Sequence, residues 1–219
     1  QTNSVDVLLS DTLPDVKIVV VSYGGGGGTS GGTSIMVVGS GSLSTVRDAV
    51  GNTATGNYSA ALAGLGNAAS TPYSTVGGGS GNTASGYYSF IGGGHGNITA
   101  GGSATIGGGQ GNSASGSTST IGGGQCNAAT GTYSTVSGGL TNTASNTFST
   151  VGGGFTNTAS GAASTIGGGY INIASGDYST IGGGVSNAAF NAFSTVGGGY
   201  INTASGHYSF IGGGSGNTA

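Results

Sequence analysis

The sequence has almost no charge. Two basic residues, Lys17 and Arg47, and five aspartates are spread over 219 residues, with no glutamate. A nucleic-acid surface needs clustered Lys and Arg to neutralise phosphates, so nucleic acid is excluded as a partner. The same scarcity argues against an anionic membrane surface. No apolar run approaches the roughly 18 residues of a membrane helix. The longest, Ile18 to Val21, has the length of a strand, and no membrane insertion is expected in this chain. A single cysteine, Cys126, leaves no internal disulfide, and it reads as a small residue tolerated at a variable place. Tryptophan is absent and only two prolines occur beside 54 glycines. Collagen requires glycine at every third position with abundant proline, so this glycine is not collagen. Charge-driven disorder is excluded by the near absence of charge.

What is present is a period. From Ser44 a fifteen-residue unit recurs without insertion or deletion through eleven full copies and part of a twelfth, as in Ser164-Thr165-Ile166-Gly167-Gly168-Gly169-Tyr170-Ile171-Asn172-Ile173-Ala174-Ser175-Gly176-Asp177-Tyr178. Position 3 is Ile or Val in every copy but that of Ala61, which marks an inward-facing strand site. Position 2, mostly Thr, then faces outward. Position 9 is Asn throughout: Asn52, Asn67, Asn82, Asn97, Asn112, Asn127, Asn142, Asn157, Asn172, Asn187, Asn202 and Asn217. Carrying both donor and acceptor, these side chains suit a hydrogen-bonded ladder from coil to coil, or closure of each coil's own turn; the ladder is preferred. Position 11 is Ala apart from Thr99, which indicates a tight inward site.

Position 13 is mostly Gly, with Asn146 and Asn191, and these are the residues that accept positive φ; a left-handed turn is expected there, distorted at Thr71 beside Pro72. Position 15 is an interrupted aromatic row, read as packing. Positions 4–6, glycine triplets from Gly77 onward, imply close approach of another backbone: the next coil, a ligand or neighbouring chains. Positions 7 and 8 vary. An exposed corner that varies is where binding specificity would reside, with His95, Phe155, Tyr170, Ile171, Tyr200 and Ile201 as candidate partner-binding residues.

The expected fold is therefore all-β: a parallel β-solenoid of fifteen-residue coils over residues 44–219, preceded by a non-repetitive strand, cap or assembly segment with a glycine-rich joint over residues 1–43. Coils stacked at about 4.8 Å make a rod on the order of 55–60 Å long. Each coil has few large apolar side chains to set against the ordering of fifteen residues, so association of several chains along the rod is expected.

The pattern Ser-Thr-Ile-Gly-Gly-Gly-x-x-Asn-Thr-Ala-Ser-Gly-x-Tyr resembles the head repeats of YadA-like trimeric adhesins through the Ser-to-Ile-Gly strand, the Ala and the turn Gly. It is also similar to repeat arrays of phage-like tail-fibre proteins. The resemblance covers about four-fifths of the chain and implies a left-handed β-roll, a homotrimer and a place in an extracellular, cell-surface or virion-surface fibre.

No catalytic, metal or cofactor constellation is found. The glycine triplets lack the Gly-Lys-Ser/Thr and helix of a phosphate loop. Asp177 is the only acid beyond Asp48, which excludes a calcium β-roll. His95 and His207 occupy different repeat positions, and no serine has a His-and-acid set. The expected function is a structural, adhesive module without enzymatic activity, whose receptor or glycan the sequence does not identify. Two alternatives remain. One is a self-polymerising filament subunit that exchanges its N-terminal strands. The other is an ice-binding solenoid presenting the Thr row at position 2.

Overall fold

The computed structural model describes Val20–Val21 and residues 35–48 and 51–219. Among them there is no helix, and the strands form a β-solenoid. Numbering coil 1 from Ser44, each coil contributes one two-residue strand at positions 2–3 and another at positions 10–11. Each pairs in parallel with its equivalent fifteen residues away, as Thr165↔Thr180 and Ala159↔Ala174 do. A third line of single-residue parallel bridges runs up position 7, from Leu65 to Ser215. Backbone N–H and C=O groups of consecutive coils are thereby paired along three lines, which is how so short a coil avoids orphaned polar groups.

The first strands differ. β1 (Val20–Val21) pairs antiparallel with β2 (Ile35–Val38), and β2 pairs antiparallel with β3 (Thr45–Asp48), the first strand of the solenoid. The sheet edge at the first coil is thus covered rather than open. The coil geometry itself reaches back to Gly39. Gly41 N–H donates to Ala54 O at 3.3 Å, and Leu43 has φ +52°, like later residues at position 15. The remainder of the 1–43 segment, including its glycine run, lies outside the described residues.

The interior is narrow and half polar. Ile or Val at position 3 and Ala at position 11 are fully buried through the middle of the rod, and so are Asn at position 9 and Ser at position 1. Six of the eleven serines bond back to position 13 of the preceding coil, as Ser164 Oγ donates to Gly161 O at 2.7 Å. Thr99, the one β-branched residue in the alanine column, is buried with its hydroxyl unpartnered. Thr99→Val, which keeps the shape and removes the orphan hydroxyl, is expected to stabilise the rod by about 1 kcal/mol, read as a higher unfolding midpoint in urea.

The turn expectation is corrected. The glycines at position 13 do not have positive φ; positive φ occurs at positions 6, 8 and 15, and at position 5 in Gly153 and Gly213. Position 13 is glycine because a Cβ there would run into the carbonyl of the same position one coil on, as Gly86 would into Gly101. Where glycine is missing, the side chain bonds to the next coil instead. Thr71 Oγ1 donates to Gly86 O at 2.8 Å, and Asn146 Nδ2 donates to Ser160 O at 3.1 Å. Nor is the Thr71-Pro72 turn distorted. Tyr73 has the φ of its equivalents, +60°, and its N–H donates to Asn57 O at 2.9 Å as they do.

Candidate functional surface

Inside the rod, the asparagine column does both jobs weighed for it. The Oδ1 of Asn157 accepts the backbone N–H of Asn172 at 3.0 Å and its Nδ2–H at 3.0 Å. The Nδ2 of Asn172 also donates to Gly168 O in its own coil at 3.0 Å and to Gly184 O in the next at 2.9 Å. Each Asn therefore closes its own corner, holds the next corner and continues the ladder. The column runs from Asn52 to Asn217 and is buried from Asn67 to Asn202. These residues position the corner and are not available to a ligand. Asn97, which opens the glycosylation-type sequence Asn97-Ile98-Thr99, belongs to this column, so its amide is buried and already bonded.

The triplet resolves into three different glycines. At position 6, φ lies between +85° and +100° from Gly64 onward, and a Cβ would strike the next coil's carbonyl. At position 4 a Cβ again meets the next coil. At position 5 it would meet open space or nothing nearer than ordinary contact; from Gly168 the nearest atom is 3.9 Å away. Positions 4 and 6 are thus explained by coil stacking, and position 5 is not.

Outside the rod lie three kinds of column. The first is the threonine row at position 2, unbroken from Thr105 to Thr195 and interrupted by the exposed rings of Phe90 and Phe210. The second is the corner at positions 7 and 8. All six candidate residues are placed there, and His95, Phe155, Tyr170 and Tyr200 share one line of backbone bridges. That line is polar at Ser80, His95, Gln110 and Gln125. It turns apolar from Leu140 through Phe155, Tyr170, Val185 and Tyr200, with the Phe155 and Tyr170 rings stacked at 5.3 Å. Ile171 and Ile201 flank it, exposed, at φ +53°, a conformation that disfavours β-branched side chains. Exposed Cys126 occupies the same position 8 in its coil.

No family model matches the sequence, and no curated protein is significantly similar to it. The surface is therefore read from its own chemistry.

The third column is the aromatic row at position 15. Tyr58, Tyr73 and Tyr88 stack face to face at 5.0 and 4.7 Å, with Tyr87 set edge-on against Tyr88. Burial within this group, with Tyr88, Tyr87 and Tyr58 adding, pushes the Tyr73 phenol above its ordinary pKa. Tyr133 stacks on Phe148 at 5.1 Å, and Tyr178, Phe193 and Tyr208 form a second run of three at 5.0 Å. These rings pack on one another but stay exposed, so the row is a surface feature rather than core. Among the described residues no three His, Cys, Asp or Glu side chains converge, and no helix is long and apolar enough to cross a membrane.

One contact had no counterpart in the reading of the sequence. Asp177 Oδ1 accepts the N–H of Ala162, in the preceding coil, at 2.8 Å. Its period position, 14, is otherwise occupied by neutral residues and His207, so the only sign of it in the sequence was the solitary charge.

Proposed function

We propose that the chain is the structural, adhesive part of an extracellular surface fibre, a left-handed roll assembled as a homotrimer with its variable corner turned to a receptor or glycan. The observation that carries this reading is the contrast between columns. The interior columns repeat the same residue coil after coil, while positions 7 and 8 change character along the rod. A rigid scaffold displaying a variable edge is the arrangement of a recognition surface. The exposed aromatic and aliphatic side chains and the near-absence of charge favour association of the rods, since little repels them. Light scattering on the purified chain is expected to return three times 20.3 kDa, and glycan or cell binding is expected to fall when Tyr170 and Tyr200 are replaced by Ser. A stable monomer that adheres to no surface overturns the reading.

Two further readings have their own support. The seven-coil threonine run from Thr105 to Thr195 on a regular parallel sheet favours ice binding, for which thermal hysteresis of the pure protein is the test. The antiparallel β1–β2 pair beside the first coil supports a filament that exchanges those strands between subunits. Removal of residues 1–23 then abolishes polymerisation.

A further inference from the structure

The aromatic row at position 15 has one gap that is a single coil wide, and the only Asp, Glu, Lys or Arg of residues 51–219 stands beside it. The gap is Ala163, between Phe148 and Tyr178. Ala163 keeps the backbone of its ring-bearing equivalents, with φ +51°. It also keeps their register: Ala163 N–H donates to Thr147 O at 2.8 Å and Tyr178 N–H donates to Ala162 O at 2.7 Å. Only the ring is missing. Phe148 stacks on Tyr133 with planes 6° apart, and Tyr178 stacks on Phe193 with planes 2° apart. Each therefore has one face covered and the other turned toward the level of Ala163. Two coil rises separate them, about 9.6 Å, so a flat group between them lies about 5 Å from both rings, within stacking and cation–π range.

Asp177 supplies the charge. Its Oδ1 reaches back to Ala162 N–H, which brings the carboxylate to the level of the gap, and its Oδ2 accepts no hydrogen bond among the described residues. Asp177, Phe148 and Tyr178 are all exposed, so the slot opens to solvent. The other interruption of the row, Ser103 and Thr118, is two coils wide and has Gly102 and Ser117 at position 14. It has neither the spacing nor the charge.

We propose that the slot walled by Phe148 and Tyr178, floored by Ala163 and rimmed by Asp177 binds a planar organic cation, the guanidinium group. A guanidinium is flat, stacks on aromatic faces and presents N–H donors in its own plane to a carboxylate. An ammonium shares the charge but not the shape, and a neutral ring shares the shape but not the charge. The group arrives on a free guanidino compound or on an arginine of a partner chain.

The test uses the whole chain, with acetyl-arginine-amide titrated while the ring protons of Phe148 and Tyr178 are followed by NMR. Saturable shifts in the millimolar range are expected at these two rings and not at Tyr58. Acetyl-citrulline-amide, neutral and of the same shape, is expected to bind at least tenfold more weakly. Asp177→Asn keeps an acceptor for Ala162 N–H and is expected to lose binding to the same extent. Ala163→Tyr places at position 15 the residue most coils carry there, so it folds, fills the slot and abolishes the shifts. An arginine within a neutral-flanked peptide separates the sources: tighter binding than the amide indicates a partner chain, and equal binding a free compound. No saturable shift in the parent chain, or shifts that citrulline or Asp177→Asn reproduces, overturns the proposal. The mass of the assembly does not enter this test, so it stands apart from the adhesive reading.

Discussion

Asn142→Ala is expected to destabilise the rod by about 3–5 kcal/mol, among the largest effects of any single truncation in it. Asn142 is fully buried. Its Nδ2 donates to Gly138 O at 3.0 Å and Gly154 O at 2.8 Å, and its Oδ1 accepts from the N–H and Nδ2–H of Asn157 at 3.0 and 3.1 Å. Alanine leaves the Gly138 carbonyl and the Asn157 backbone N–H without partners inside a corner that has closed around them, and takes from Gly154 O one of its two donors, the other being Leu140 N–H at 2.9 Å. Each buried orphan costs about 1–3 kcal/mol, and the sum is softened only by water entering the corner. Asn142→Asp keeps the acceptor but turns a carboxylate toward two carbonyl oxygens, so it is expected to be no milder. Asn52, at the first coil and half-buried, makes fewer of these bonds, and Asn52→Ala is expected to cost about 1 kcal/mol. In a solenoid each coil leans only on its neighbours, so the damage is local. Hydrogen exchange is the measurement: in Asn142→Ala the Asn157 amide and the coils on either side exchange faster, while coils near Val76 keep their protection. Uniform loss across the rod, or no loss, contradicts the account of the column.

The period made the coil legible. Fifteen residues, one β-branched residue at position 3 and one Ala at position 11 specify two parallel strands with their inward sides assigned, and the burial of Ile166 and Ala174 agrees. The backbone signs were harder to read, because glycine answers two different needs here. At position 13 it is required by a carbonyl one coil away, with ordinary φ; at position 6 it is required by φ near +90° and by a carbonyl as well. The sequence shows the same letter for both. The converse holds at position 15, where Tyr88 and Phe148 take φ +56° and no residue type announces it. The missing ring at Ala163 was visible as an interruption, but its flanking stacks and the reach of Asp177 to the preceding coil exist only in three dimensions.

The three glycines of one triplet are expected to respond very differently to alanine. Gly169→Ala is the severe one, costing about 4 kcal/mol or more. Its φ of +97° lies beyond the left-handed region that residues at positions 8 and 15 use, and its Cβ would run into Gly184 O. That carbonyl accepts both Tyr170 N–H and Asn172 Nδ2–H at 2.9 Å, so relieving the clash loosens the bridge line and the asparagine column together. Gly167→Ala also meets the coil above, at Gly182 O, but without positive φ. Ser137 occupies the same position in its own coil, where its N–H still donates to Val151 O at 3.0 Å, so a Cβ is accommodated there. A cost of about 1–2 kcal/mol is expected. Gly168→Ala places its Cβ 3.9 Å from the nearest atom and restricts the unfolded chain, so its effect on a single rod is expected to fall between neutral and about 1 kcal/mol of gain. Urea unfolding of the three variants gives the ranking, and a Gly168→Ala as damaging as Gly169→Ala would remove the coil-stacking explanation of the triplet. The same variant reports on assembly. Stacking within one chain leaves position 5 clear of close contacts, and only Gly153 and Gly213 there have a positive φ, yet ten successive coils from Gly78 to Gly213 keep it bare. If copies of the rod meet along this line, Gly168→Ala weakens the association measured by light scattering while leaving the fold of each rod intact. Unchanged association places the contact between rods on another face.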